Sequence, residues 1–337
     1  MRHKRGMSDL DQLLESRGQT AQLGAYVTAA RFSASGQPGF ALGDGTIRLG
    51  GEFTPLQAHA GAVLSLSPHP ISGFLTGGDD GRLMHITDQP AEIAKFGSKW
   101  VEQLAVFPGK TPLIAAGVGK TVHLLSGKDE KRRELAHPST VTGITFDAKG
   151  KRLAASHYNG ASLWFTSSTA APRVLEWKGS HTGIAIHPEG NALVTSMQEN
   201  SLHGWTLPEG KHMRMSGYPT KTESLGFTKS GRWLATAGAE SVVLWPFFGG
   251  GPMGKTPTEL GMGDGIVRQI ACHPQHEVIA AGFDTGLTLL IHINQGRILP
   301  LCGPGRGAIT TLAWNSTGSQ LALGTDTGFA ALVDFAG

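Results

Sequence analysis

The chain has 337 residues, 48 of them Gly, with a formal net charge of +3 and two cysteines. So mild a charge, with no dominant block of Lys and Arg, excludes a phosphate-binding face for nucleic acid, which needs clustered cations. No apolar run approaches the ~18 residues that cross a bilayer, and the basic start Met1-Arg-His-Lys-Arg lacks the hydrophobic region of a secretory signal, so no membrane association is expected.

Residues 1–18 read as an N-terminal tail with one short amphipathic helix. Ser8 and Asp11 mark its beginning, Leu10, Leu13 and Leu14 share a face, and Gly18 stops it. A helix of about ten residues is marginal alone, so it is expected to pack on the main body, residues 19–337.

From Leu23 onward a three-strand pattern recurs. It is clearest between His137 and Phe165. Val141, Ile144 and Phe146 form one apolar run, broken at Ala148-Lys149-Gly150; Leu153, Ala154 and Ala155 form a second, closed by Asn159-Gly160; residues 162–165 form a third. Short runs between Gly and Asn turns read as an antiparallel meander. The register repeats from Leu23, His59, Gly97, His137, Trp177, Tyr218, Gly263 and Gly305, at intervals of 36 to 45 residues. Second strands carry small residues mid-strand, as in residues 113–119, LIAAGVG, and 278–286, VIAAGFDTG, which lets neighbouring sheets approach closely.

The repeat resembles WD40, over about residues 20–335. The family's His stands at His59 and His137. Its turn Asp or a substitute stands at Asp44, Asp80, Asn159, Asn200, Asp284 and Asp326, and its third-strand Trp at Trp164, Trp205 and Trp245. No literal Trp-Asp dipeptide occurs, so the hydrogen-bonded set of the family is incomplete in most units. The resemblance implies an all-β, single-domain β-propeller. Eight units predict eight blades, with seven, the commoner number in the family, as the alternative. The chain stops at the third strand of its last unit, residues 329–335, and residues 20–26 read as the missing fourth strand that closes the ring.

Chemistry-bearing patterns are sparse. Gly249-Gly-Gly-Pro-Met-Gly254-Lys255-Thr256 spells a phosphate loop, but Pro257 and a Gly-rich run follow where a helix is needed, so a long connection is expected instead of a nucleotide site. His85, His123, His203 and His292 lie along third strands and His69, His187 and His273 at rim turns, one to a blade, with no metal-ligand spacing. No nucleophile elbow occurs. Cys272 falls on an inward strand position and Cys302 in a connection, with nothing to suggest a disulfide, and buried thiols fit a reducing cytosol. No cofactor, metal or catalytic residue is expected. A propeller enzyme or metal-handling accessory subunit is the alternative function.

What remains is surface. WD40-like propellers imply docking on the face formed by residues just before each first strand and each turn Asp. There the aromatics Tyr26, Trp100, Tyr158 and Phe283 stand out as anchors, beside the cations Lys99, Lys221, Arg268 and Arg306. The expected function is a non-catalytic, monomeric, cytoplasmic scaffold for a protein or peptide partner.

Overall fold

The computed structural model of the chain describes residues 7–126 and 132–336. Its strands pair antiparallel throughout and form a β-propeller. Among the described residues there are seven hydrogen-bonded sheets, six of four strands and one of six.

Seven sheets correct the expectation of eight. The difference lies in the units beginning at His137 and Trp177, which share the six-stranded sheet. Arg152–Phe165 turns at Asn159-Gly160, where both residues take positive φ, and the Thr166 N–H then bonds to the Lys151 carbonyl at 3.0 Å. The following strand, Arg173–Ile186, runs unbroken. Its first part pairs with residues 160–163 and its second with Leu193–Met197. Elsewhere a loop separates the outer strand of one blade from the inner strand of the next. Here the linking segment is zipped onto the sheet by the Tyr158–Ser180 pairing and by the Asn159 side-chain oxygen, which accepts from the Gly179 N–H at 3.1 Å. The propeller therefore has seven blades, one of double width.

The ring closes as expected, slightly earlier in the chain. Gly18–Gln22 lies antiparallel to Phe329–Val333 in the last sheet. In front of it the single expected helix is two pieces, Met7–Leu10 and Gln12–Arg17, so Ser8 lies inside the first piece; residues 1–6 of the expected tail lie outside the described residues. The break falls at Asp11. Its carboxylate caps no helix and instead accepts from the Gly303 N–H at 2.7 Å and from Arg306 at 2.9 and 3.1 Å. Leu14 is buried among Leu301, Cys302, Ile309 and Val333, so this short helix is stable through packing on the body.

The core lies between blades, and close approach is its requirement. A Cβ added at Gly282 would come within 2.4 Å of Ile309 Cγ2, and one at Gly324 within 2.5 Å of Val27 Cγ1. Each β-branched residue begins the inner strand of the next blade and occupies the space that a second-strand side chain would fill. Ala115, Ala154, Ala235, Ala280 and Ala322, all fully buried, keep the middle of their second strands small as well. Inner strands touch in succession around the axis, the double-width blade contributing two. Hydroxyls tie them: Ser65 Oγ donates to the Val101 carbonyl at 2.9 Å, Thr142 Oγ1 to that of His181 at 2.6 Å and Thr310 Oγ1 to that of Val27 at 2.6 Å. At the far rim His187 and His273 accept a turn N–H on Nδ1, and Nε2 donates to the Gly231 and Gly318 carbonyls of the next blade at 2.9 and 3.1 Å.

Within blades the hydrogen-bonded set survives in altered form. His59 bridges Asp80 at 2.9 Å and Thr76 at 2.8 Å, and the Trp164 Nε1–H donates to His137 Nε2 at 3.1 Å. In the unit beginning at Tyr218 the phenol takes the place of the imidazole. Thr236 Oγ1 donates to the Val243 carbonyl at 3.0 Å, so the Tyr218 hydroxyl donates to Thr236 at 2.6 Å and accepts from Trp245 Nε1 at 2.7 Å. Burial pushes the phenol pKa up to about 12, which keeps it a donor. The Tyr218→Phe variant leaves the buried Trp245 Nε1–H without a partner, while Thr236 keeps its bond to Val243, and is expected to lose about 1–3 kcal/mol of stability. Urea denaturation would show a lower midpoint, with the far-UV spectrum unchanged.

Candidate functional site

The loops that precede inner strands and the turns that follow second strands lie on one face, because the turn side chains reach those loops. Asp80 accepts from the Ala60 N–H at 3.1 Å, Glu199 from Ser180 at 3.1 Å, Asp284 from Ile266 at 3.0 Å and Asp326 from Ala308 at 2.8 Å. These acceptors hold the loops in place by charge-assisted bonds. Asp44 plays a local version of the same part, with both Thr46 donors on its Oδ1.

Three of the four expected anchors are exposed on this face: Tyr26 at 49%, Trp100 at 56% and Tyr158 at 54%. Phe283 is not, and its expected role is corrected. It is 0% exposed and lies in the core with Val267, Ile279 and Leu289. Its strand, Val278–Phe283, ends with the ring turned between blades under Gly263, where an added Cβ would meet the ring at 2.9 Å.

The cations divide. Lys99 is exposed beside Trp100, with no ion pair among the described residues. Lys221 and Arg268 converge on one carboxylate, Glu223, at 3.5 and 3.3 Å. Tyr26 belongs to the same cluster: partial burial raises its pKa, Asp326 and Glu223 add to the rise, and Arg268 opposes it. Tyr26, Lys221 and Arg268 thus belong to one charged cluster around Glu223. Arg306 is taken by Asp11 at 2.9 Å, so as a free contact for a partner it too is corrected. Burial tends to raise the Asp11 pKa, but the bonds from Arg306 and Gly303 outweigh it and hold the carboxyl below its usual range.

The phosphate-loop spelling has no phosphate-loop geometry. Gly249, Gly250, Gly251 and Gly254 all take positive φ, and the next element is the strand Thr258–Leu260 where such a loop requires a helix. The Lys255 amine folds back onto the Phe248 and Gly249 carbonyls, and lies 5.1 Å from the Phe248 ring centroid.

The histidines are more paired than their spacing suggested. His69 and His85 stack at 3.9 Å between centroids, and His203 Nε2 meets His212 Nδ1 at 2.9 Å under a Trp177 ring stacked at 3.9 Å. Among the described residues no group of three or more His, Cys, Asp or Glu converges as a metal site. Both thiols are free. Cys302 closes the strand Arg297–Cys302 and so is not in a connection, and burial pushes the Cys272 and Cys302 pKa values up to about 12 and about 11, far from those of reactive thiolates. What sequence reading missed beside the aromatic face is a groove along the wide blade, about 580 Å³, lined by Tyr158, Asn159, Glu176, Trp177, Lys178 and His212. Its only sequence signal was two aromatics, Tyr158 and Trp177, in adjoining units.

Residues 52–85 match the family model for the WD40 repeat, described as WD domain, G-beta repeat. The WD repeat-containing protein slp1 of Schizosaccharomyces pombe is 24% identical over 226 residues, which cover 63% of this chain and 46% of that protein. The chain thus carries one match to the WD40 repeat and is similar to a WD-repeat protein over about three-fifths of its length. Pre-mRNA-processing factor 19 of Oryza sativa subsp. japonica is 23% identical over 198 residues, covering 54% of this chain and 37% of its own length, so the chain spans less than half of either relative. Among solved structures, the computationally designed Ika8 protein superposes with a TM-score of 0.74 at 16% identity, over 92% of this chain and 96% of that one, a likeness of fold alone. No helix among the described residues is long and apolar enough to cross a membrane.

Two outcomes follow from these placements. Phe283→Ala is expected to cost about 3–5 kcal/mol in denaturant unfolding, as for a core aromatic. Stability is also expected to fall on mild acidification. Burial first, and neighbouring His or Arg charge second, lower His69, His123 and His137 to about 4 and His203 to about 3. The unfolded chain takes up these protons near pH 6.5 and the folded chain does not, so the stabilisation is complete above pH 6.5 and is lost as pH falls towards 4. Denaturation midpoints at pH 7 and pH 5 check the sign.

Proposed function

We propose that this propeller is a non-catalytic platform whose loop face binds a protein or peptide through Tyr26, Trp100 and Tyr158. Lys99, Lys221 and Arg268 supply charge at the edge of the contact. The observation that carries the reading is the exposure of three large aromatics, each about half or more accessible, on a face where Asp80, Glu199, Asp284 and Asp326 are committed to holding its own loops. Exposed Trp and Tyr are the residue types that anchor interfaces, because a rigid ring buries much area at little entropic cost. Interaction platforms are also the usual role of the WD-repeat family that the relatives share. In this reading the protein acts as a cytoplasmic monomer, without a cofactor and without nucleic acid.

The test is capture of partners from native lysate, followed by affinity measurement on whatever is identified. Replacing Tyr26, Trp100 and Tyr158 together with Ala is expected to weaken that affinity at least about 100-fold, since each anchor of this kind contributes on the order of 2 kcal/mol. Unchanged affinity in a folded triple variant rules the face out. A stoichiometric metal ion retained after dialysis would favour a metal-handling subunit instead.

A further inference from the structure

Arg31 sits in the inner strand Val27–Phe32 of the first blade. The pairing register places Ser67, Thr145, Gly226 and four alanines at the same level of the other inner strands, so Arg31 is the one charged side chain at that level. The Ala30 N–H donates to Thr311 Oγ1 of the neighbouring blade at 2.9 Å, so the peptide edge of Ala30 faces away from its own sheet. An Arg31 guanidinium N–H donates to the Ala30 carbonyl at 2.7 Å, which draws the cation over that same edge. The side chain is exposed to solvent, and its place on an inner strand, at a level where the other inner strands carry small residues, puts it in the central channel that the ring of inner strands surrounds.

Among the described residues this cation has no counter-charge. None of the ion pairs among the described residues includes Arg31, and its one hydrogen bond uses one of five N–H donors. An enclosed, unpaired guanidinium attracts an anion more strongly than an exposed one, because surrounding protein weakens dielectric screening. Its planar fork suits two oxygens of one oxyanion, and small neighbours leave room for it. We propose that the central channel binds a small oxyanion of the phosphate class at Arg31. The aromatic face takes no part in this site, so the two readings stand or fall separately.

Thermal unfolding of the full chain in sodium phosphate, against sodium chloride at equal ionic strength, provides the test. The wild type is expected to show a saturable rise in Tm of about 2 °C at ten times the dissociation constant. Arg31→Gln should retain only the salt effect, and Arg31→Lys part of the rise. An equal rise in wild type and Arg31→Gln overturns the proposal, as does a rise abolished by Arg268→Gln and kept by Arg31→Gln, which would place the ion at the cluster around Glu223. If Arg31→Gln does not fold, ³¹P line broadening of inorganic phosphate decides between wild type and Arg31→Lys. Broadening by the wild type that weakens in Arg31→Lys upholds the site. No broadening by the wild type, or equal broadening by both, overturns it.

Discussion

The whole architecture depends on how near one blade can come to the next. Sheets arranged around an axis crowd at their inner edges, and there Ile309 and Val27 enter space that Gly282 and Gly324 leave open. Dense packing of this kind tolerates little change in volume. It explains why second strands keep Gly and Ala although both are poor strand formers, and why the hydroxyls of Ser65, Thr142 and Thr310 can reach carbonyls on adjoining inner strands. The rim histidines His187 and His273 then lock the outer turns.

Much of this fold was legible in the amino-acid sequence because its causes are local and repeated. Gly and Asn turns, small second-strand residues and β-branched inner residues recur at a near-constant interval, and the closing strand could be recognised as a missing piece. Two features were not legible. Whether Trp177 to Ser180 would loop out or stay extended depended on Asn159 reaching Gly179, a contact between distant residues. Tyr218 acting as an imidazole in its unit left no mark in the pattern, because a phenol and an imidazole share only their capacity for hydrogen bonding.

The candidate face was less legible, for a definite reason. Tyr158 and Phe283 occupy matching positions in the repeat, one before each turn, and pattern alone treats them alike. Asn159 lets its turn project Tyr158 outward, whereas Phe283 is drawn into the seam beneath Gly263. Arg306 was likewise assigned to the surface because its partner, Asp11, lies almost the whole chain away. Exposure and pairing are tertiary properties, and repeats reveal them only where every copy behaves the same.

The double-width blade bears on how the ring deforms. Most neighbouring blades meet through side chains, which can slide by fractions of an ångström without breaking a bond. Along Arg173–Ile186 two units are joined through a shared backbone ladder, and sliding there would rupture hydrogen bonds. Strain from a distortion of the ring is therefore diverted to the other seams, and that side of the molecule behaves as its stiffest sector. Tyr158 and Trp177 belong to this sector, so a surface anchored on them keeps its shape while the rest of the circumference flexes.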